Sequence, residues 1–114
     1  MIINHTDMYI KTCMKTWLLC ESCVHNESDG TYRRNQLVEK CRECANSCFA
    51  VVCRMISVSE WLEEAVLTCV LACKNCYEEC ARYEGSADIE YCGEVCRLCG
   101  ELLKRDLMLP AHLN

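Results

Sequence analysis

Cysteines dominate the chemistry that this chain could perform, and they recur at helical spacing. Cys69, Cys73, Cys76 and Cys80 form a C-x3-C-x2-C-x3-C run inside a segment that otherwise has the pattern of one helix. At about 100° per residue, these side chains fall within roughly 60° of each other and line one face. The face that normally carries leucine therefore carries sulfur, and a core lined with thiols is well suited to a soft metal ion.

The same rhythm recurs in three further segments, most loosely in the first, and predicts a thiol stripe on each of four helices. Cys53 is the exception, because it is displaced by about 140° from Cys48 and a regular helix would direct it off the stripe. Either the helix bulges there or Cys53 is a separate thiol. The candidate metal ligands are all fourteen cysteines: Cys13, Cys20, Cys23, Cys41, Cys44, Cys48, Cys53, Cys69, Cys73, Cys76, Cys80, Cys92, Cys96 and Cys99.

Local signals set the expected bounds of the helices that position these cysteines. Ser57 and Glu60 have the spacing of a capping box that would begin helix three. Gly85 suits the left-handed position beyond the end of that helix, and Asp88 is a candidate N-cap for helix four. The predicted helices run from 4 or 6 to 26, from 34 to 56, from the box at 57–60 to 83, and from 88 to 107.

Four long helices with short connections predict an all-α fold, an antiparallel up-down-up-down four-helix bundle with a cysteine-lined core. The 114 residues suffice for one core, and we expect a single domain over 1–114. In such a bundle most thiols gather toward one half. Leu62, Val66 and Leu103 continue the stripes in the other half, where ordinary apolar packing is expected.

Composition excludes several classes of function. A net charge of −5 provides no basic field for nucleic acid. No stretch approaches the roughly 18 apolar residues of a membrane span, and residues 1–7 lack the pattern of a secretory signal. We therefore expect a cytosolic protein that binds neither nucleic acid nor membrane. In the cytosol its thiols would stay reduced and serve as ligands.

Charge favours Cu(I) over Zn(II) for a buried row of thiolates. Burying an uncompensated ion costs several kcal/mol or more. Cu(I) is soft and monovalent, and each ion that bridges thiolates cancels about one of their charges. Zn(II) held by four thiolates keeps about two negative charges at each site, so several zinc sites stacked in one bundle would repel each other.

The cysteine rhythm resembles that of the bacterial copper storage proteins, a family of cysteine-rich four-helix bundles. The segments that carry the resemblance are 41–48, 69–80 and 92–99, and the similarity covers nearly the whole chain. It implies a cytosolic bundle, not an enzyme, that holds many Cu(I) ions on core cysteines and forms a homo-oligomer, specifically a tetramer. Its partners would be copper ions and a copper-donating chaperone or small thiol. Thr16, Val66 and Leu103 stand where the rhythm would allow cysteine, so the capacity would be lower than in related proteins.

Other interpretations of the cysteines remain open. An electron-transfer protein with an iron–sulfur cluster would use four of them, and a thiol-based redox or zinc sensor would use a few. The twin C-x3-C pairs at 76–80 and 92–96 resemble those of small disulfide-stapled helical hairpins. Buried cysteines can also be plain apolar core residues.

Methionines and histidines near the two ends of the bundle could guide Cu(I) into it. His5, Met8, Met14 and Met55 belong to the end where thiols thin out, and His25 belongs to the opposite end. Thioether and imidazole groups bind Cu(I), but methionines also fill gaps between helices and surface histidines are common.

The remaining conspicuous side chains have structural interpretations. Trp17, Trp61 and Tyr77 are expected to anchor the packing between helices or subunits. The acidic pairs at 63–64 and 78–79 are expected to lie on solvated helix faces, and not to form an acid–base dyad. No motif for nucleophilic catalysis is evident.

Overall fold

The computed structural model describes residues 3–27, 35–57 and 60–108, and within these ranges the secondary structure is entirely helical apart from turns. The helices are α1 (Ile3–Glu27), α2 (Asn35–Ser57), α3 (Leu62–Cys80) and α4 (Ala87–Leu107). Each packs against the next along the chain, and α1 also packs against α4. The predicted all-α four-helix bundle is confirmed, while the prediction of one domain over 1–114 stays a prediction.

The capping box predicted at the start of helix three is wrong. Ser57 is still part of α2, where its hydroxyl donates a hydrogen bond to the Cys53 carbonyl at 2.8 Å. Trp61 occupies the N-cap position of α3, and its side chain does not cap the helix with a hydrogen bond. Two glutamates in the first turn of α3 interact favourably with the positive end of the helix dipole instead.

The turn between α3 and α4 also differs in part from the prediction. Gly85 has a φ of +92°, which confirms the left-handed position. Ser86, with an extended backbone, is the N-cap residue of α4, whereas Asp88 lies inside the first turn. Because the chain reverses at Gly85, α4 already begins at Ala87. An Asp88 cap would require it to begin one residue beyond Asp88.

Helices α2 and α3 run antiparallel, as the order of the sulfur contacts between them shows. Cysteines later in α3 contact cysteines earlier in α2, which only opposite chain directions allow. The Sγ–Sγ pairs are Cys48–Cys69 at 3.6 Å, Cys44–Cys73 at 3.7 Å and Cys41–Cys76 at 3.7 Å.

The core of the bundle has two sections. The apolar section contains Tyr9, Val51, Val52, Val66 and Leu103, all buried, at the end where α1 begins and α4 ends. This confirms that apolar side chains replace sulfur in that half. The thiol section consists of the thirteen buried cysteines: Cys13, Cys20, Cys23, Cys41, Cys44, Cys48, Cys69, Cys73, Cys76, Cys80, Cys92, Cys96 and Cys99.

Large side chains bound the thiol section at its other end as well. Leu37 and Ile89 are almost completely buried, one helical turn before the first cysteines of α2 and α4. These two side chains add apolar surface at that end, and the cysteines of the thiol section are themselves buried.

Two of the predicted packing roles can be compared with the structure. The half-buried Trp17 packs its ring 5.1 Å from that of Phe49, which confirms an anchor between α1 and α2. Trp61 is 60 % exposed and Tyr77 lies near the surface, so their role between subunits stays a prediction.

Glu79 contradicts the expectation that both acidic pairs are solvated. It is buried, it accepts a hydrogen bond from the Tyr83 hydroxyl at 3.2 Å, and it pairs with Arg82 at 3.5 Å. These partners compensate for the loss of water around the carboxylate. The other three glutamates of the two pairs are exposed, as predicted.

Candidate metal centre

The cysteines of the thiol section come from all four helices and point to one axis. Their sulfurs are free thiols, so the structure does not show the disulfide staples considered for 76–80 and 92–96. Cys53 is only half-buried, and α2 continues past it as a helix, so of the two alternatives left open by the sequence the structure favours a separate thiol over a bulge. The helical period therefore decides which cysteines enter the core.

Cys96 lies at the centre of the thiol section. Its Sγ is 3.5 Å from that of Cys20, 3.7 Å from that of Cys44 and 3.6 Å from that of Cys76. Each helix contributes one member of this set, and all four sulfurs lie within 4.8 Å of one another. Such a set could hold a single metal ion.

Further sulfur sets share members with this one. Cys76 also belongs to a set of four with Cys41, Cys80 and Cys92, and its Sγ is 3.7 Å from that of Cys41. A third set consists of Cys44, Cys48 and Cys73, and it shares Cys44 with the first. The shared sulfurs join the sets into one column and could bridge neighbouring ions.

The column continues toward the apolar section through α1 and α4. Cys13 interacts with Cys48, Cys69 and Cys99. Thr16 follows Cys13 by one helical turn and so lies between Cys13 and Cys20. It is completely buried, and its hydroxyl donates a hydrogen bond to the Thr12 carbonyl at 2.8 Å. Thr16 therefore interrupts the sulfur row on α1 without leaving a buried hydroxyl unsatisfied.

Comparison with known proteins bears on what this column is for. A model of the copper storage protein family matches residues 3–106, a range that includes every cysteine. The chain belongs to the copper storage protein family. Neither the search of curated proteins nor the search of solved structures gave a significant match. Family membership and the buried sulfur clusters together support metal sequestration, and they confirm the resemblance inferred from the cysteine rhythm.

Hydrogen bonds between thiols shift their acidities in opposite directions. Hydrogen bonds from Cys13, the larger cause, and from Cys48 lower the pKa of Cys69 to about 6. A hydrogen bond from Cys20 is the largest cause that lowers the pKa of Cys76 to about 6. The pKa of Cys48 is raised, first by its bond with Cys13 and further by burial. A thiolate is stabilised by neighbouring thiol donors, which then keep their own protons. For a copper storage protein this means that metal must displace protons from much of the column.

The residues that could guide copper lie near the ends of the bundle. Met8 and Met14 are about 40 % exposed on α1, and the half-buried Met55 packs against the core near the end of α2. His25 is exposed, two residues beyond Cys23. The side chain of His5 lies outside the described residues. A role for these groups in copper entry stays a prediction.

Sequence reasoning missed a polar contact that closes the apolar section. The Tyr9 hydroxyl donates a hydrogen bond to Asp106 Oδ2 at 3.2 Å and joins the first helix to the last. Burial and the Asp106 charge both raise the pKa of Tyr9, so the phenol stays protonated as a donor. Ninety-seven residues separate the two partners, and no local pattern could have paired them.

In the described part of the chain, no helix is both long and apolar enough to span a membrane.

Proposed function

We propose that the protein stores several Cu(I) ions on the thiolates of its core and does not act as a catalyst. The observation that carries this proposal is the sharing of sulfurs between neighbouring sets. Cys44 and Cys76 each belong to two sets. A sulfur shared in this way can bridge two ions, so that loading produces a continuous copper–thiolate column instead of isolated sites.

Charge balance supports Cu(I) as the ion that fills the column. The cysteines of the central set are completely buried, and the other three sulfurs lie 3.5–3.7 Å from that of Cys96. Thiolates this close repel each other strongly unless cations separate them. One Cu(I) for each thiolate leaves the interior nearly neutral, whereas tetrahedral Zn(II) sites would accumulate negative charge. We therefore expect capacity on the order of one ion per buried sulfur.

Zinc is the second candidate because the central set fits one zinc ion well. With a zinc–sulfur bond of about 2.3 Å, the sulfurs of a tetrahedral site lie roughly 3.8 Å apart. The distances from Cys96 to its three neighbours are close to this value. A zinc-bound regulator would use this set alone, and the other cysteines of the thiol section would stay free.

An iron–sulfur cluster fits less well. A cubane places four irons and their sulfides between the cysteine ligands, so its thiolates stand farther apart than those around one ion. The described sets are compact, with every sulfur within 4.8 Å of the others. This spacing favours single ions bound between thiolates.

The remaining proposals concern the setting of the protein. We propose a single domain over 1–114 that resides in the cytosol and receives Cu(I) from a copper-donating chaperone or small thiol. We also propose a homo-oligomer, a tetramer by resemblance to the family. Exposed apolar side chains on α3 and α4 support association, among them Leu67, Leu71, Tyr91 and Leu98.

An anaerobic titration of the reduced, metal-free protein with Cu(I), in competition with a strong Cu(I) chelator, tests the proposed storage. We expect about one ion per buried thiol at saturation and tighter binding at pH 7.5 than at pH 5.5. The sign follows from proton release, because the metal-free state binds more protons than the loaded state and higher pH favours the latter. Saturation at one or two ions per chain would contradict storage, and one tightly held Zn(II) would indicate the regulator.

A further inference from the structure

Two glycines of α4 pack against two cysteines of α3 at unusually short range. A Cβ atom placed on Gly93 would lie 2.8 Å from Cys80 Cβ and 3.7 Å from its Sγ. A Cβ atom on Gly100 would lie 3.0 Å from Cys73 Cβ. The Gly93 distance is shorter than real Cβ contacts, and the atom it meets adjoins the α3 backbone. The Gly100 distance is tight, so Cys73 would have to shift by a few tenths of an ångström to admit a side chain there. The lack of a side chain therefore permits the close approach of the two helices at Gly93 and eases it at Gly100.

The two contacts have a common register. Gly93 and Gly100 are seven residues apart on α4, as are Cys73 and Cys80 on α3. Seven residues are about two helical turns, so both contacts lie on the same face of each helix. The antiparallel direction pairs the first glycine with the second cysteine. The glycines are therefore a matched pair that determines the spacing of α3 and α4 along two turns.

One of the sulfur contacts between α3 and α4 lies between the two glycines along α4. Cys96 Sγ is 3.6 Å from Cys76 Sγ, and both atoms belong to the central set. Each glycine also directly follows a buried cysteine, since Cys92 precedes Gly93 and Cys99 precedes Gly100. Any outward movement or rotation of α4 would shift these three sulfurs relative to those of α3.

We propose that Gly93 and Gly100 are positioning residues for copper, which hold α4 close enough to α3 for their thiolates to share Cu(I) ions. The proposal rests on the proposed storage function and goes beyond it by assigning a role to residues that carry no ligand atom. Gly93 is the more important of the two, because its contact is shorter and adjoins the set that contains Cys80 and Cys92.

The test compares the copper capacity of Gly93→Ala, Gly100→Ala and the unaltered protein. Alanine forms helices better than glycine, so if the space existed both variants would melt at a higher temperature and bind copper normally. We expect instead that Gly93→Ala binds about two fewer Cu(I) ions per chain at saturation, and Gly100→Ala about one fewer. Circular dichroism of the metal-free variants verifies that the helices still form.

A size swap separates positioning from general damage to the fold. The methyl group added in Gly93→Ala would meet the Cβ atom of Cys80, and Cys80→Gly removes that atom. Cys80 is the last residue of α3, and a helix tolerates glycine better at this end than in its middle. We expect the double variant Gly93→Ala/Cys80→Gly to bind as many ions as Cys80→Gly alone.

Two results would overturn the assignment of Gly93. One is full copper capacity in Gly93→Ala, and the other is a loss that the swap does not restore. The first result is judged against the unaltered protein and the second against Cys80→Gly alone, because that change itself removes one ligand. If the unaltered protein binds only one or two ions, it is the storage function that fails.

Discussion

The thiol section and the apolar section occupy the same four helices, yet their side chains suit different purposes. Val66 and Leu103 fill the apolar section with buried, branched side chains whose packing involves no metal ligand. One turn away, Cys69 and Cys99 occupy the same faces with small side chains that provide less apolar contact. From this comparison we expect the apolar section to stabilise the metal-free bundle and the thiol section to gain stability when metal binds.

Removal of the central sulfur set should change the copper capacity of the thiol section more than any other substitution. The variant in which Cys20, Cys44, Cys76 and Cys96 are all replaced by alanine should bind about four fewer Cu(I) ions per chain. The reason is that each lost thiolate removes the charge that balances one ion. Anaerobic Cu(I) titration measures the change.

Cys53→Ala is the matched control for the sulfur set, because this thiol is half-buried and lies away from the axis. It should leave the capacity nearly unchanged. A loss for Cys53→Ala as large as that for any one cysteine of the set would show that burial on the axis does not define the site.

Truncation in the apolar section should reduce stability without reducing copper capacity. Leu103→Ala removes a completely buried side chain and should lower the free energy of unfolding of the metal-free protein by about 3 kcal/mol. Urea denaturation monitored by circular dichroism measures this. An equal loss from Leu98→Ala, at a half-exposed position on the same helix, would contradict the role of the apolar section.

The smallest expected change is the gain of one ligand. Thr16 is completely buried between two cysteine positions of α1, so Thr16→Cys should fill the gap in the sulfur row and add about one Cu(I) ion per chain. Thr16→Val, which keeps the shape but offers no ligand, is the control. Equal copper capacities in the two variants would show that a thiol at this position does not take part in the column.

The fold was predictable because the cysteine rhythm is a local, repeated signal. Errors occurred where two local options compete. The Ser57 hydroxyl could bond forward to a helix start or back to the Cys53 carbonyl, and the continuation of α2 favours the latter. Ser86 and Asp88 are both suitable caps, and the reversal at Gly85 selects Ser86. Glu79 was misjudged because its burial depends on Tyr83 and Arg82, beyond the end of α3.

The sequence by itself determined the four helices and the face on which each cysteine of a regular helix would lie, because these depend on the helical period within one segment. It left open whether α2 bulges at Cys53. Only the tertiary structure decided which sulfurs meet across the bundle, that Cys44 and Cys76 belong to two sets, and that Gly93 and Gly100 determine how closely α4 approaches α3. The physical reason is that the spacing and register between helices result from the packing of all their side chains together, and no single segment contains that information.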